Sequence, residues 1–273
     1  MEMETSTFYV TANSTLFAVA HRPWLPPNGP WAMSQNMQDA LFVNYAVDPA
    51  ALRPLVPERF SIDLYGGAAW LTVTPFYVAH LRGNSTPPLP VVSSFGSVVV
   101  RTCVVCDDKP GLFVFSVDSG SLGAVWTARL FWRLPFWHAK VRMLGYTVTR
   151  RTFRTPSSLD VRFEAERLHG PKADASAARL SAVYKAVSEP AIPSPGTLEQ
   201  FLIDRYCIYT QSKKSLYRIE NHHLPFMLQQ AEVDMAVNTL CEPLGLTLPA
   251  KPDAVFYVRN LRLLLWPAQK IRS

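Results

Sequence analysis

An arginine stands where a charge is least expected. Arg101 lies in the middle of VVVRTCVV (Val98–Val105), a run otherwise apolar enough to be a buried strand. A guanidinium carried into a core must be paired or hydrogen-bonded, because an isolated buried charge is expensive. Asp118 and Glu164 are its candidate partners. Two readings stay open. One is a structural ion pair inside the fold. The other is an arginine that holds an anion in a ligand cavity, a task its planar fork suits when the anion is a carboxylate. Proton transfer needs a different pairing, a base within hydrogen-bond reach of an acid. His138 with Glu164, and His223 with Tyr209, are the pairs this sequence offers.

A second group of side chains is rich in polar-tipped aromatics: Arg205-Tyr206-Cys207-Ile208-Tyr209-Thr210, Tyr217-Arg218 and His222-His223. Such residues line pockets well, and they serve equally as ordinary packed residues of a β structure. Arg101, Asp118, Arg129, Trp137, Arg205, Tyr206, Tyr217 and His222 form the candidate cavity lining.

Metal and nucleotide chemistry find little support. Cys103-Val-Val-Cys106 has the C-x-x-C spacing, but it sits inside an apolar strand, where residues three apart face opposite sides. The adjacent His222 and His223 diverge on an extended chain and cannot chelate one ion. Glycine-rich phosphate loops and the Gly-x-Ser-x-Gly elbow are absent. No cofactor and no metal are expected.

The elements that must carry these residues read as mainly β. Hydrophobic residues make up 48% and charged residues 18%, enough for a real core and against global disorder. Strands are expected at Ala40–Val47, Ser97–Cys106, Leu112–Val117, Trp137–Met143, Tyr146–Phe153, Leu159–Arg167, Ala178–Val187 and Glu232–Val237. Phe60–Tyr65 and Ala68–Ala79 flank Gly66-Gly67 as a hairpin, and Tyr206–Thr210 with Leu216–His222 forms another. Val255–Asn260 and Leu261–Trp266 close the fold. Asp48 caps a short helix with Pro49 in its first turn. Leu122–Phe131 has helical spacing, with Leu122, Val125, Trp126 and Leu130 on one side and Ser121 as N-cap. Thr197–Asp204 and Thr239–Leu244 are further short helices.

The net charge is +6, but the basic residues are scattered rather than massed on one element, so nucleic acid is not an expected partner. No run reaches the roughly 18–20 apolar residues of a spanning helix, so no membrane is expected. Residues 1–20 contain no Lys or Arg, unlike the basic start of a secretory signal. Four cysteines without scaffold spacing fit free thiols in a reducing cytosol, hence a cytoplasmic location. Residues 1–22 are expected as a loosely attached extension, and 23–273 as one domain.

Several segments together resemble the YqjF-like family, bacterial proteins with a domain of unknown function. They are RPWLPPNGPWAMSQNMQDALFVNYAVDPAALRPLVPERF from Arg22, VRTCVV (Val100–Val105), GLFVFSVDS (Gly111–Ser119), AVWTARLFWRLPFWHAKV (Ala124–Val141), GTLEQFLIDRYCIYT (Gly196–Thr210), YRIENHHLPFMLQQAEV (Tyr217–Val233) and LLLWPAQKI (Leu263–Ile271). The match runs in order to the C-terminus. FGSVVVRT departs from the family's more usual FPELNVRT. The resemblance implies a fold similar to acetoacetate decarboxylase: an antiparallel, cone-like β-barrel with a central cavity and a few short peripheral helices. That enzyme class uses a Schiff-base lysine in a motif resembling A-R-x-x-x-G-x-P-K-K. Here the equivalent stretch is Ala128–Trp137, and both lysine positions are aromatic, Phe136 and Trp137. The decarboxylase glutamate corresponds to a position near Ser97. Schiff-base chemistry requires an activated amine. Lys140 should face the other side of its strand, and Lys185 is a weaker candidate. The expectation is therefore a small-molecule-binding protein, not a Schiff-base decarboxylase, whose cavity takes a partly apolar ligand, an anionic one being admitted. A homo-oligomer is admitted. An acid–base lyase, isomerase or hydratase acting on a small keto or carboxylic compound is the alternative, so whether it is an enzyme stays open.

Overall fold

The computed structural model describes residues 12–87, 93–145, 160–168 and 178–272. The chain forms thirteen strands among these residues, joined in one sheet. They are β1 (Met33–Val47), β2 (Ser61–Ile62), β3 (Ala69–Gly83), β4 (Phe95–Cys106), β5 (Lys109–Ser119), β6 (Phe136–Leu144), β7 (Val161–Arg167), β8 (Arg179–Ala186), β9 (Cys207–Ser212), β10 (Ser215–His222), β11 (Gln229–Asn238), β12 (Ala254–Leu265) and β13 (Gln269–Lys270). Short helices punctuate them: α1 (Ala12–Phe17), α2 (Pro49–Leu52), α3 (Leu122–Thr127) and α4 (Leu198–Ile203).

The sheet returns on itself. Its order is β13-β10-β9-β5-β6-β7-β8-β11-β12-β1-β3-β4-β2, and β4 also pairs with β5 and β10 with β12. Two rings result, and they share β5, β4, β3, β1 and β12. The first ring closes through β6, β7, β8 and β11. The second closes through β9 and β10. Alternation along the shared strands sends successive side chains into opposite rings. Leu41, Val43, Leu71, Val73, Val98 and Val100 pack on one face with Phe163, Leu180 and Tyr184. Phe42, Trp70, Phe76, Phe95 and Cys103 occupy the other. Shared strands apolar on both faces explain why VVVRTCVV does not alternate in polarity. Each fully buried Val, Leu or Phe contributes on the order of 1.5–3 kcal/mol.

Most pairings are antiparallel, as expected, but two are parallel: β5 with β6 and β5 with β9. Gly66 and Gly67, at φ 61° and 80°, turn the chain between Tyr65 and Ala68. The expected hairpin arm does not follow, because Ser61–Ile62 pairs with β4 rather than β3. The two expected terminal strands are one, β12. The expected strand Tyr146–Phe153 lies outside the described residues. Asp48 caps α2, its Oδ1 accepting from Ala50 N at 2.9 Å. Ser121 caps α3 through Ala124 N at 3.3 Å.

The stripe expected on one side of α3 is split, because its Val125 is buried while its other members are exposed. Trp126, Leu130 and Leu122 are 73%, 59% and 54% exposed. The small Ala124 and Ala128, with Val125 and Trp132, face inward. After Thr127 the helix widens into a π-type turn over Ala128–Trp132 and ends at Arg133 in the left-handed region.

The start of the described chain is tied down rather than loosely attached. Thr15 is fully buried, and its carbonyl accepts from His222 Nε2 at 2.7 Å. Arg22 Nη1 donates to Asn221 O at 2.6 Å, and His21 Nε2 donates to His223 O at 2.7 Å.

Candidate functional site

Arg101 points into the second ring. Antiparallel partners on one face share a side. Register therefore lines up Arg101 with Thr72, Val99 with Thr74, and Ser97 with Phe76 across β3 and β4. Protein encloses Arg101 on all sides, yet the side chain keeps accessible surface. Val99, the preceding residue on the same face, does too. β4 is hydrogen-bonded to strands on both edges, so this surface lies on the face turned toward the interior of the ring.

No carboxylate meets Arg101 among the described residues. Its contact is the ring of Phe42, 5.3 Å from the guanidinium carbon, and its Nε is buried without a partner. Burial lowers its pKa to about 10, and nearby Arg205 pushes the same way. Both expected partners are elsewhere. Asp118 points into the first ring and takes a two-pronged bond from Arg167, Nε to Oδ1 at 2.6 Å and Nη2 to Oδ2 at 2.8 Å. Glu164 lies on the outer face of β7, opposite Arg142. The alternation rule accounts for both corrections: Asp118 pairs with Val98, an even position on β4, whereas Arg101 is odd.

Two more orphaned polar groups share the face of Arg101. Thr74 Oγ1 and Ser97 Oγ are buried, 1% exposed each as residues, and have no partner. Thr72 is different, since it donates to Asn44 Oδ1 at 2.9 Å. Ser97 opens onto a cavity of about 60 Å³ walled by Phe76, Val78, Phe95, Ala124, Trp132 and Phe136. Phe136 and Ser97 thus share this largely apolar pocket. Neither Thr74 nor the pocket stood out in the sequence. The signal was there: Thr72 and Thr74 interrupt an apolar strand at the two-residue period.

The proposed proton-transfer pairs are not brought together. His138 lies four residues from the partner of Glu164, about 13 Å along β6. Tyr209 donates to Lys109 O at 2.9 Å beneath Phe60, while His223 stacks on Tyr206 at 4.8 Å between ring centroids. Other candidates are engaged elsewhere. Arg129 is exposed and donates to Phe136 O at 2.6 Å, and its guanidinium covers Trp137. Arg205 pairs with Asp63. Tyr217 sits half-exposed beside Lys270.

His222 belongs to the strap formed by the early residues. Arg22 Nη1 donates to its Nδ1 at 3.1 Å, and Thr15 O can only accept, so the ring is neutral with its proton on Nε2. Burial lowers its pKa to about 4 and that of His223 to about 3. The same strap meets Glu220, which binds Lys109 Nζ at 2.7 Å and Trp24 Nε1 at 2.9 Å. All four cysteines are free and buried, Cys103 in the second ring and Cys106 in a separate cluster, as their spacing on a strand requires.

Comparison with known proteins agrees with this architecture. The chain is 33% identical over 244 residues to the uncharacterized protein YqjF of Bacillus subtilis (strain 168), covering 89% of this chain and 94% of that one. Among solved structures it resembles acetoacetate decarboxylase from Legionella pneumophila, with TM-score 0.59, 13% identity and coverage of 99% and 98%. It also resembles an acetoacetate decarboxylase-like enzyme from Sphingomonas wittichii RW1, with TM-score 0.57, 14% identity and coverage of 92% and 98%. The enduracididine biosynthesis enzyme MppR complexed with pyruvate gives TM-score 0.58 at 14% identity, covering 92% and 93%. At these identities the likeness concerns the fold. Residues 34–262 match DUF2071, described as an uncharacterized conserved protein, and the chain belongs to that family.

Proposed function

We propose that this protein binds a small, partly apolar carboxylate inside the second ring, with Arg101 meeting its charge. The observation that carries the reading is the guanidinium itself: enclosed, without an acidic partner among the described residues, and on the face turned toward the interior of the ring. An unpaired buried cation costs stability, and a bound anion offsets that cost. A carboxylate suits the fork of an arginine better than a point-like anion does. The description of MppR, a structure of similar fold, as complexed with pyruvate is in keeping with a carboxylate ligand.

Schiff-base decarboxylation is not part of this reading. Phe136 and Trp137 stand at the lysine positions. Lys140 is exposed on the outer face of β6, and Lys185 pairs with Glu232 at the surface, 3.2 Å apart. Acid–base turnover would need a proton-transfer pair in the interior of the ring, and neither pair considered is brought together there.

The test is isothermal titration of the emptied protein with benzoate and pyruvate, for the native chain and Arg101→Gln. A hydrogen bond to a charged group is worth about 1.5–3 kcal/mol, so the variant should bind about 10- to 100-fold more weakly. Equal affinities would remove Arg101 from the site. Cyanoborohydride trapping with pyruvate should leave the intact mass unchanged. A lysine adduct would restore Schiff-base chemistry.

A further inference from the structure

We infer that the ligand is a straight-chain aliphatic monocarboxylate that lies along β4, its carboxylate on Arg101 and its terminal carbons in the pocket beside Ser97. This rests on the reading of Arg101 as an anion site and adds the body of the ligand to it.

The register supplies the path. Ser97, Val99 and Arg101 succeed one another on the inward face of β4, with Phe76, Thr74 and Thr72 opposite them on β3. From Ser97 to Arg101 the strand advances about 13 Å. A bare anion such as acetate would occupy one end of this line and leave the other empty. The two ends are also chemically unlike. One is a guanidinium with no acidic partner among the described residues and a buried, unpartnered Nε. The other is walled by Val78, Phe95, Ala124, Trp132 and Phe136, with Phe76 above Ser97. Val99, between the ends, packs against the neighbouring apolar clusters but is only partly buried, so packing does not cover it completely. Buried hydroxyls nearly always find partners, and the orphaned Thr74 Oγ1 and Ser97 Oγ leave two unsatisfied polar atoms on the face that carries Arg101.

Volume decides the shape of the far end. The pocket holds about 60 Å³. An apolar cavity of about 150 Å³ is what accommodates a benzene ring, so this pocket has room for the end of a narrow chain and not for an aryl group. The class that satisfies both ends is an unbranched fatty carboxylate of medium length.

Titration calorimetry with acetate, butanoate, hexanoate, octanoate and decanoate tests this on the unaltered protein. Each methylene transferred from water should raise affinity about fourfold until the pocket is filled. Phenylacetate should bind no better than butanoate. A flat series, in which acetate binds as well as octanoate, overturns the inference, while the Arg101 reading stands if Arg101→Gln still weakens every member. A rising series that Arg101→Gln leaves untouched overturns both, because the chains are then adsorbing to apolar surface. Ala124→Leu, which fills the pocket, should abolish the rise and spare acetate. Should that variant not fold, the chain-length series on the native protein decides alone.

Discussion

Arg101 and Arg167 lie inside these rings, and removing them should have opposite effects. Arg101 is enclosed without a carboxylate, and its pKa falls from 12.5 to about 10. That fall corresponds to roughly 3 kcal/mol of penalty on the charged form. Arg101→Met keeps the apolar stem and removes the charge, so in the empty protein it should gain about 1–3 kcal/mol, allowing for relaxation around the longer guanidinium. In a domain of this size each kcal/mol shifts Tm by about 2–4 °C. Arg167→Met should do the reverse. It strips the two-pronged bond from Asp118, which is fully buried, and so leaves an unpaired carboxylate. Breaking such a pair from one side costs about 3–5 kcal/mol, whereas Arg167→Met with Asp118→Leu should recover most of the loss. Urea denaturation followed by tryptophan fluorescence, in low-salt Tris without carboxylates, reads both. A loss of 1 kcal/mol or more in Arg101→Met, in protein shown empty by mass spectrometry, would refute the reasoning: Arg101 would then have a structural partner.

Further outcomes follow from other parts of the molecule. His222 is neutral when folded, with a pKa of about 4 against 6.5 when unfolded. Stability is therefore full above pH 6.5 and declines as pH falls from 6.5 toward 4, because the unfolded chain takes up the proton first, by up to about 3 kcal/mol. The urea midpoint measured from pH 7.5 to 4 should fall more steeply in the native protein than in His222→Gln, and parallel profiles would discount the strap. Gly111→Ala would place a Cβ 2.6 Å from Cys207 O and 2.8 Å from Cys207 Cβ, so it should cost about 1–3 kcal/mol by forcing β5 from β9. An unchanged melting curve would show that the strands yield there. Trp126→Lys, on the exposed face of α3, should alter stability by less than about 0.5 kcal/mol, with a larger loss in thermal melts indicating that something covers this face.

The sequence by itself determined the local elements and the family. Alternation, glycine turns and caps depend on neighbours within a few residues. β4, β5, β7, the β9–β10 hairpin and the caps at Asp48 and Ser121 were accordingly legible. So was the oddity of Arg101, since a charge in an apolar strand needs no partner to be noticed. What only the tertiary structure decided was which face meets which. The shared strands are apolar on both sides, so polarity could not say that Arg101 enters one ring and Asp118 the other. Nor could spacing reveal that Leu122, Trp126 and Leu130 face outward while two alanines wall the pocket. The strap drawn from Thr15 and Arg22 to His222 spans some 200 residues of chain, and no local pattern encodes a contact between residues so far apart. Register sets these relations: moving a strand by one residue exchanges the two rings for every side chain it carries.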